Sequence, residues 1–124
     1  MILSNDHFRS YLLKRLIELG PYLREGKCAE SLFFFDCLAA CVNVKPKPER
    51  REFWGWWMEL KTHKDYCTYE YHLGLFNKDG EWNVVDIKGK DNHENVKRTL
   101  NNFHERLKDT LQELKLDLKP IKNK

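Results

Sequence analysis

Cysteine is scarce and scattered: Cys28, Cys37, Cys41 and Cys67 contain no C-x-x-C pair. On one continuous strand Cys37 and Cys41 would stand roughly 13 Å apart, too far to share a zinc ion. Buried, reduced thiols are the expectation, with no metal site. The six glycines are dispersed as turn residues, and no G-x-G-x-x-G, P-loop or G-x-S-x-G occurs. Phosphate-cradling loops and a nucleophile elbow are thereby excluded. His7, His63, His72, His93 and His104 show no H-E-x-x-H spacing. His72 beside Glu70, or His104 beside Glu105, is a pairing that chance supplies often. The chain reads as a non-enzyme without a cofactor. A large excess of either charge is also missing, since the net charge is +3. That argues against a histone-like or membrane-coating protein. No apolar run approaches the roughly 20 residues that span a bilayer. Met1–Asp6 lacks the basic start and small-residue cleavage site of a signal peptide. The expectation is one cytosolic domain over residues 1–124.

Aromatics are abundant, at 13% of the 124 residues, and can fill the core of such a domain. They concentrate after Lys45-Pro46-Lys47-Pro48-Glu49-Arg50-Arg51-Glu52, in Phe53-Trp54-Gly55-Trp56-Trp57. The two prolines fix φ and remove backbone donors, so Lys45–Glu52 reads as an exposed loop. On a strand, Trp54 and Trp56 point one way, and Gly55 and Trp57 the other. Arginines beside such aromatics have the composition of a protein-binding hot spot. The alternative is that all four aromatics are core and the loop is merely solvated.

The remaining periodicities give the plan of the fold. Phe8, Leu12, Leu13, Leu16, Ile17 and Leu19 recur at helical spacing, with Ser4, Asn5 or Asp6 as cap and Gly20-Pro21 as stop. Phe33–Val44 is β-prone and long for one strand, which leaves room for a hairpin or a bend near Ala39-Ala40. Trp54–Lys61 places Trp54, Trp56, Met58 and Leu60 on one face. Tyr66–Phe76 alternates, with Tyr69, Tyr71, Leu73 and Leu75 on one side. Asp79-Gly80 marks a hairpin into a strand over Trp82–Ile87. Val96, Leu100, Phe103, Leu107, Leu111 and Leu114 form the stripe of a long final helix, with Asp91 and Glu94 resembling a capping box. The stripe also suits a short coiled coil, though a helix laid across a sheet gives it more often. Pro120 bounds the helix, and 119–124 reads as a frayed tail. The fold class is α+β: a mainly antiparallel sheet of about four to five strands, with an N-terminal helix and a long C-terminal helix packed on it.

Three stretches together closely resemble the Crl family of bacterial sigma-factor-binding proteins. They are Gly20–Cys28 (GPYLREGKC), Phe33–Pro46 (FFFDCLAACVNVKP) and Arg51–Leu60 (REFWGWWMEL). Gly74–Lys78, Trp82 and Phe103-His104-Glu105 agree in the same register. Cys67, the Thr62–Tyr66 turn and the Lys88–Asn92 connector look particular to this chain. The resemblance implies a transcription activator that binds the stationary-phase sigma subunit of RNA polymerase, at the domain reading the −10 element, and favours holoenzyme assembly. It implies no specific DNA binding and leaves a contact with core polymerase open; a monomer is the expectation set beside it. Carried over, the partner surface falls on Tyr22, Arg51, Phe53, Trp56 and Trp82; Arg24, Pro48 and Arg50 are separate candidates for secondary contacts. Arg51 would pair with an acidic residue of the partner, and Phe53 and Trp56 would anchor. The rival reading from composition is a single-stranded nucleic-acid module using the same aromatic and basic patch.

Overall fold

The structure is a computed structural model that describes residues 5–121. It runs α1 (Asn5–Ile17), β1 (Leu32–Cys41), β2 (Phe53–Thr62), β3 (Tyr66–Phe76), β4 (Trp82–Val84), α2 (Lys90–Glu113) and β5 (Asp117–Pro120). Single turns of 3₁₀ helix occupy Glu25–Lys27 and Pro48–Arg50. β1 to β4 pair antiparallel in chain order, and β5 joins β3 in parallel. The expected α+β plan of two helices on a mostly antiparallel sheet is what the chain adopts.

Alternation decides which side of the sheet each residue faces. Phe33 and Phe35 of β1, and Trp54, Trp56, Met58 and Leu60 of β2, are buried against the helices. α1 contributes Leu12 and Leu16, and α2 contributes Val96, Phe103, Leu107 and Leu111. The α2 stripe is thus covered by the sheet, chiefly by β1 and β2. Burial at ~25 cal/mol per Å² of apolar surface makes this the dominant stabilising contact. Ile17, expected on the α1 stripe, is exposed at the helix's end, while Leu19 turns inward just beyond it. The caps expected at Ser4, Asn5 or Asp6 rest on residue 4 and on the side chains of residues 5 and 6, which are outside what is described.

Four local expectations are corrected. β1 is one strand rather than a hairpin; its irregularity is a register shift between Leu38 and Ala40, next to the expected bend. β4 covers only Trp82–Val84, and Val84 and Val85 are exposed. α2 starts after Gly89 with no side-chain cap, so Asp91 and Glu94 form no capping box. Instead the Asn92 side chain donates to the Lys88 carbonyl. Lys119 and Pro120 are strand, not tail. The helix ends in a Schellman turn: Lys115 takes φ 61°, its N–H donates to Gln112 O (3.0 Å), and Leu116 N–H donates to Leu111 O (2.9 Å). That turn buries Leu116 and sends the chain back along β3, where Ile121 N–H donates to Tyr69 O at 3.0 Å. Pro120 is tolerated because β5 is an edge strand.

Candidate protein-binding face

Both helices cover one side of the sheet. Among the described residues no helix covers the other, and aromatics gather there. Trp57 stacks on Trp82 with ring centroids 4.8 Å apart and planes at 27°. It also stacks on His72, at 5.2 Å and 27°. His72 Nε2 lies 3.2 Å from Glu70. Phe76 tilts against Trp82 at 5.1 Å, and Phe53 stands opposite Phe76 in the β2–β3 register. All of these rings are half-buried. Gly55 lets the indole of Trp82 lie flat across β2: a Cβ there would sit 2.9 Å from that ring and 2.0 Å from the Cys37 carbonyl oxygen.

A buried carboxylate holds this arrangement. Asp36 is only 3% exposed, inside the otherwise apolar run Phe33–Leu38. Its Oδ2 accepts the Trp82 indole N–H at 3.0 Å, and its Oδ1 accepts Arg24 Nε–H at 2.5 Å. Its backbone N–H donates to the Tyr22 carbonyl at 3.0 Å. The segment Tyr22–Arg24 is thereby laid along the free edge of β1, with Arg24 N–H donating to Phe34 O at 2.9 Å. Sequence reading gave Asp36 no role. The available signal was a lone acid in a hydrophobic strand, because buried charge requires paired, hydrogen-bonded partners.

The loop between β1 and β2 projects beside this face. Val42 N–H donates to Glu52 O at 2.9 Å and closes its base. Arg51 donates from Nε to Pro46 O (3.0 Å) and from an Nη to Val44 O (2.9 Å). The guanidinium therefore organises the loop from within, which the sequence reading of Arg51 as a free partner cation did not foresee. Pro48 and Arg50 are exposed on the loop's 3₁₀ turn. Glu52 accepts the backbone N–H of Lys78 at 3.2 Å, tying this loop to the β3–β4 turn.

The expected site residues are not all together. Phe53 and Trp82 belong to the uncovered face, with Arg51 at its rim and Arg24 reaching it through Asp36. Trp56 does not: it is 0% exposed, its indole N–H donates to Thr99 Oγ1 at 3.1 Å, and its ring lies 4.9 Å from Phe103. Its expected role as a partner anchor is corrected to one inside the core. Tyr22 lies on the helix side, packed edge-on to Phe103 at 5.2 Å and tilted to Trp56 at 5.8 Å. Its ring sits beneath Gly20, whose φ of 134° few side chains would accept.

The titratable groups elsewhere are tuned by burial. Burial pushes the Cys67 thiol up to about 11 and raises that of Cys37. Burial also lowers His104, whose Nδ1 is 2.9 Å from the hydroxyl of the half-buried Tyr71. Among the described residues no group of three or more His, Cys, Asp or Glu could hold a metal ion. No helix among them is long and apolar enough to cross a membrane.

Comparison with known proteins agrees on one family. The family described as "Sigma factor-binding transcriptional regulator Crl" matches residues 1–124. A "Sigma factor-binding protein Crl" of Vibrio cholerae is 46% identical over 113 residues, covering 91% of this chain and 85% of the relative. One from Vibrio vulnificus is 42% identical over 110 residues, covering 89% and 84%. One from Photobacterium profundum is 40% identical over 108 residues, covering 86% and 80%.

Proposed function

The chain belongs to the Crl family of sigma factor-binding transcriptional regulators, and from that premise we propose that it binds the stationary-phase sigma subunit of RNA polymerase and promotes holoenzyme assembly. That family is one of regulators, not of enzymes. The observation that carries the reading is the uncovered sheet face, where Phe53, Trp57, Phe76 and Trp82 stand half-buried beside a loop fixed by Arg51. Aromatic anchors within a polar rim are what a protein partner desolvates most profitably.

In this reading Phe53 and Trp82 contact the sigma domain that reads the −10 element. Arg24, Pro48 and Arg50 form the rim, and Tyr22 the edge near β1. Arg51 contributes its remaining donors to an acidic partner group while holding the loop in shape. A preset loop loses less entropy on docking than a floppy one. Trp56 acts from inside, by fixing Tyr22. A regulator that prefers the assembly-competent form of sigma shifts the equilibrium toward holoenzyme, and a coupling of about 1–3 kcal/mol tightens assembly roughly 5- to 150-fold. The protein works as a monomer in the cytoplasm and reads no DNA sequence.

Calorimetric titration with the purified stationary-phase sigma factor, wild type beside Arg51→Ala, tests this. Binding by the wild type that the substitution abolishes, with circular dichroism unchanged, is the expected result. Equal binding by both would move the interface away from the loop. Binding by neither would end the reading.

A further inference from the structure

We propose that Asp36 is a positioning residue for the partner-binding face: it never touches the partner, and acts by locking Arg24 and Trp82 in the geometry that the partner meets. The inference rests on the sigma-binding reading above. Three observations point to it. Asp36 is 3% exposed, so its carboxylate is out of a partner's reach. Its two oxygens are divided between two residues of that face, Arg24 on Oδ1 and the Trp82 indole on Oδ2, with its backbone holding Tyr22. Those residues come from segments 58 positions apart in the chain, the β1-edge segment and β4, which share no direct hydrogen bond among the described residues.

The lock has a physical purpose. Arg24 is the partly exposed member of the ion pair, with 41% of its side chain accessible. Left alone, a long guanidinium would sample many rotamers and would have to be ordered on docking. β4 is only three residues long, so the Trp82 ring is fixed chiefly by Phe76, Trp57, its seat over Gly55 and Asp36. A carboxylate that accepts from both fixes the cation and the aromatic relative to each other before any partner arrives. Charge-assisted bonds in a low-dielectric site are the strong, short kind suited to this.

The test is a set of titrations of the full chain with the stationary-phase sigma factor: wild type, Asp36→Asn, Arg24→Gln, Trp82→Phe, the Arg24→Gln/Trp82→Phe pair, and the triple variant. The indole N–H signals are followed by ¹⁵N–¹H NMR in the free proteins. Asp36→Asn should weaken binding by about tenfold or more. It should also shift and broaden the Trp82 indole signal while leaving that of Trp56 in place. In the Arg24→Gln/Trp82→Phe background the same substitution should cost no further affinity, whereas a merely structural role would persist there. Should Asp36→Asn fail to fold, Arg24→Gln and Trp82→Phe alone remain decisive: their binding losses should be non-additive, because the Asp36 carboxylate bonds to both. Additive losses, wild-type binding by a folded Asp36→Asn, or an undiminished cost in the double background would each overturn the proposal with sigma binding intact. A wild type that does not bind sigma would overturn the functional reading, while the free-protein indole shift would still report whether Asp36 holds Trp82.

Discussion

Trp56 and Trp57 are neighbours in the chain and opposites in the molecule. Trp56 points into the layer between sheet and helices, touches Tyr22, Tyr71 and Phe103, and has no exposed surface. Trp57 points out, sandwiched between Trp82 and His72 on the face away from α1 and α2. The two faces of the sheet are built from the same residue type by the period of a strand alone. What separates a core tryptophan from one left on an open face is which side the helices occupy. Aromatic content by itself says nothing about function; its distribution across the two faces does.

The comparison breaks most visibly at Trp56. Trp56→Ala should destabilise the fold by ~3–5 kcal/mol, as expected for a large aromatic removed from a core. Trp57→Ala should cost about 1–3 kcal/mol, the scale of its two stacked pairs, and should act mainly on sigma binding. Urea unfolding of both, beside titration with the sigma factor, checks the pair. Comparable stability losses would mean that the faces do not divide as described.

Gly55 lies between them and tests whether the open face depends on close packing. Gly55→Ala puts a methyl group against the Cys37 carbonyl and the Trp82 ring. It should cost ~1–3 kcal/mol by overpacking and displace Trp82 from Asp36. A thermal melt with near-ultraviolet circular dichroism would show both. An unchanged aromatic spectrum would mean that Trp82 has room to spare.

The smallest effect sharpens the covered side. Burial holds His104 neutral against Tyr71, so its folded pKa lies below the ordinary imidazole value. As pH falls through that ordinary value, the unfolded chain takes up a proton that the folded chain resists. Stability present at neutral pH is therefore lost progressively down to the lowered folded value, and no further below it. Urea midpoints at neutral and mildly acidic pH should fall, and His104→Gln should flatten that part of the slope. A slope unchanged by the substitution would place the titration elsewhere.

Much of this division was legible in the residues. The placement of Trp54, Trp56, Met58 and Leu60 on one face follows from strand period, and the α2 stripe from helix period. Trp56 read as a partner anchor through the resemblance, although the strand period sets it on the same face as Trp54, Met58 and Leu60, and that face is core. The role of Asp36 depends on Arg24 and Trp82 converging from distant segments, which no local pattern encodes. Arg51 read as a free cation because loop carbonyls are invisible as acceptors in a sequence. The strand at Asp117–Pro120 was obscured by its lysines and proline, residues that suit an edge strand as well as a tail.

The Schellman turn at Lys115 bears on the order in which the molecule assembles. β1 to β4 follow one another through hairpins and short loops, so their pairings close quickly. β5 can reach β3 only after α2 has been laid across the sheet and reversed, and its contacts span about 50 residues of chain. It is therefore expected to be the last strand to join and the first to detach. Cys67, whose thiol lies beneath the β3–β5 pairing and is fully buried in the folded protein, would then act as a clock. Pulsed alkylation during refolding should find it reactive after the hairpins have formed and silent once β5 has docked.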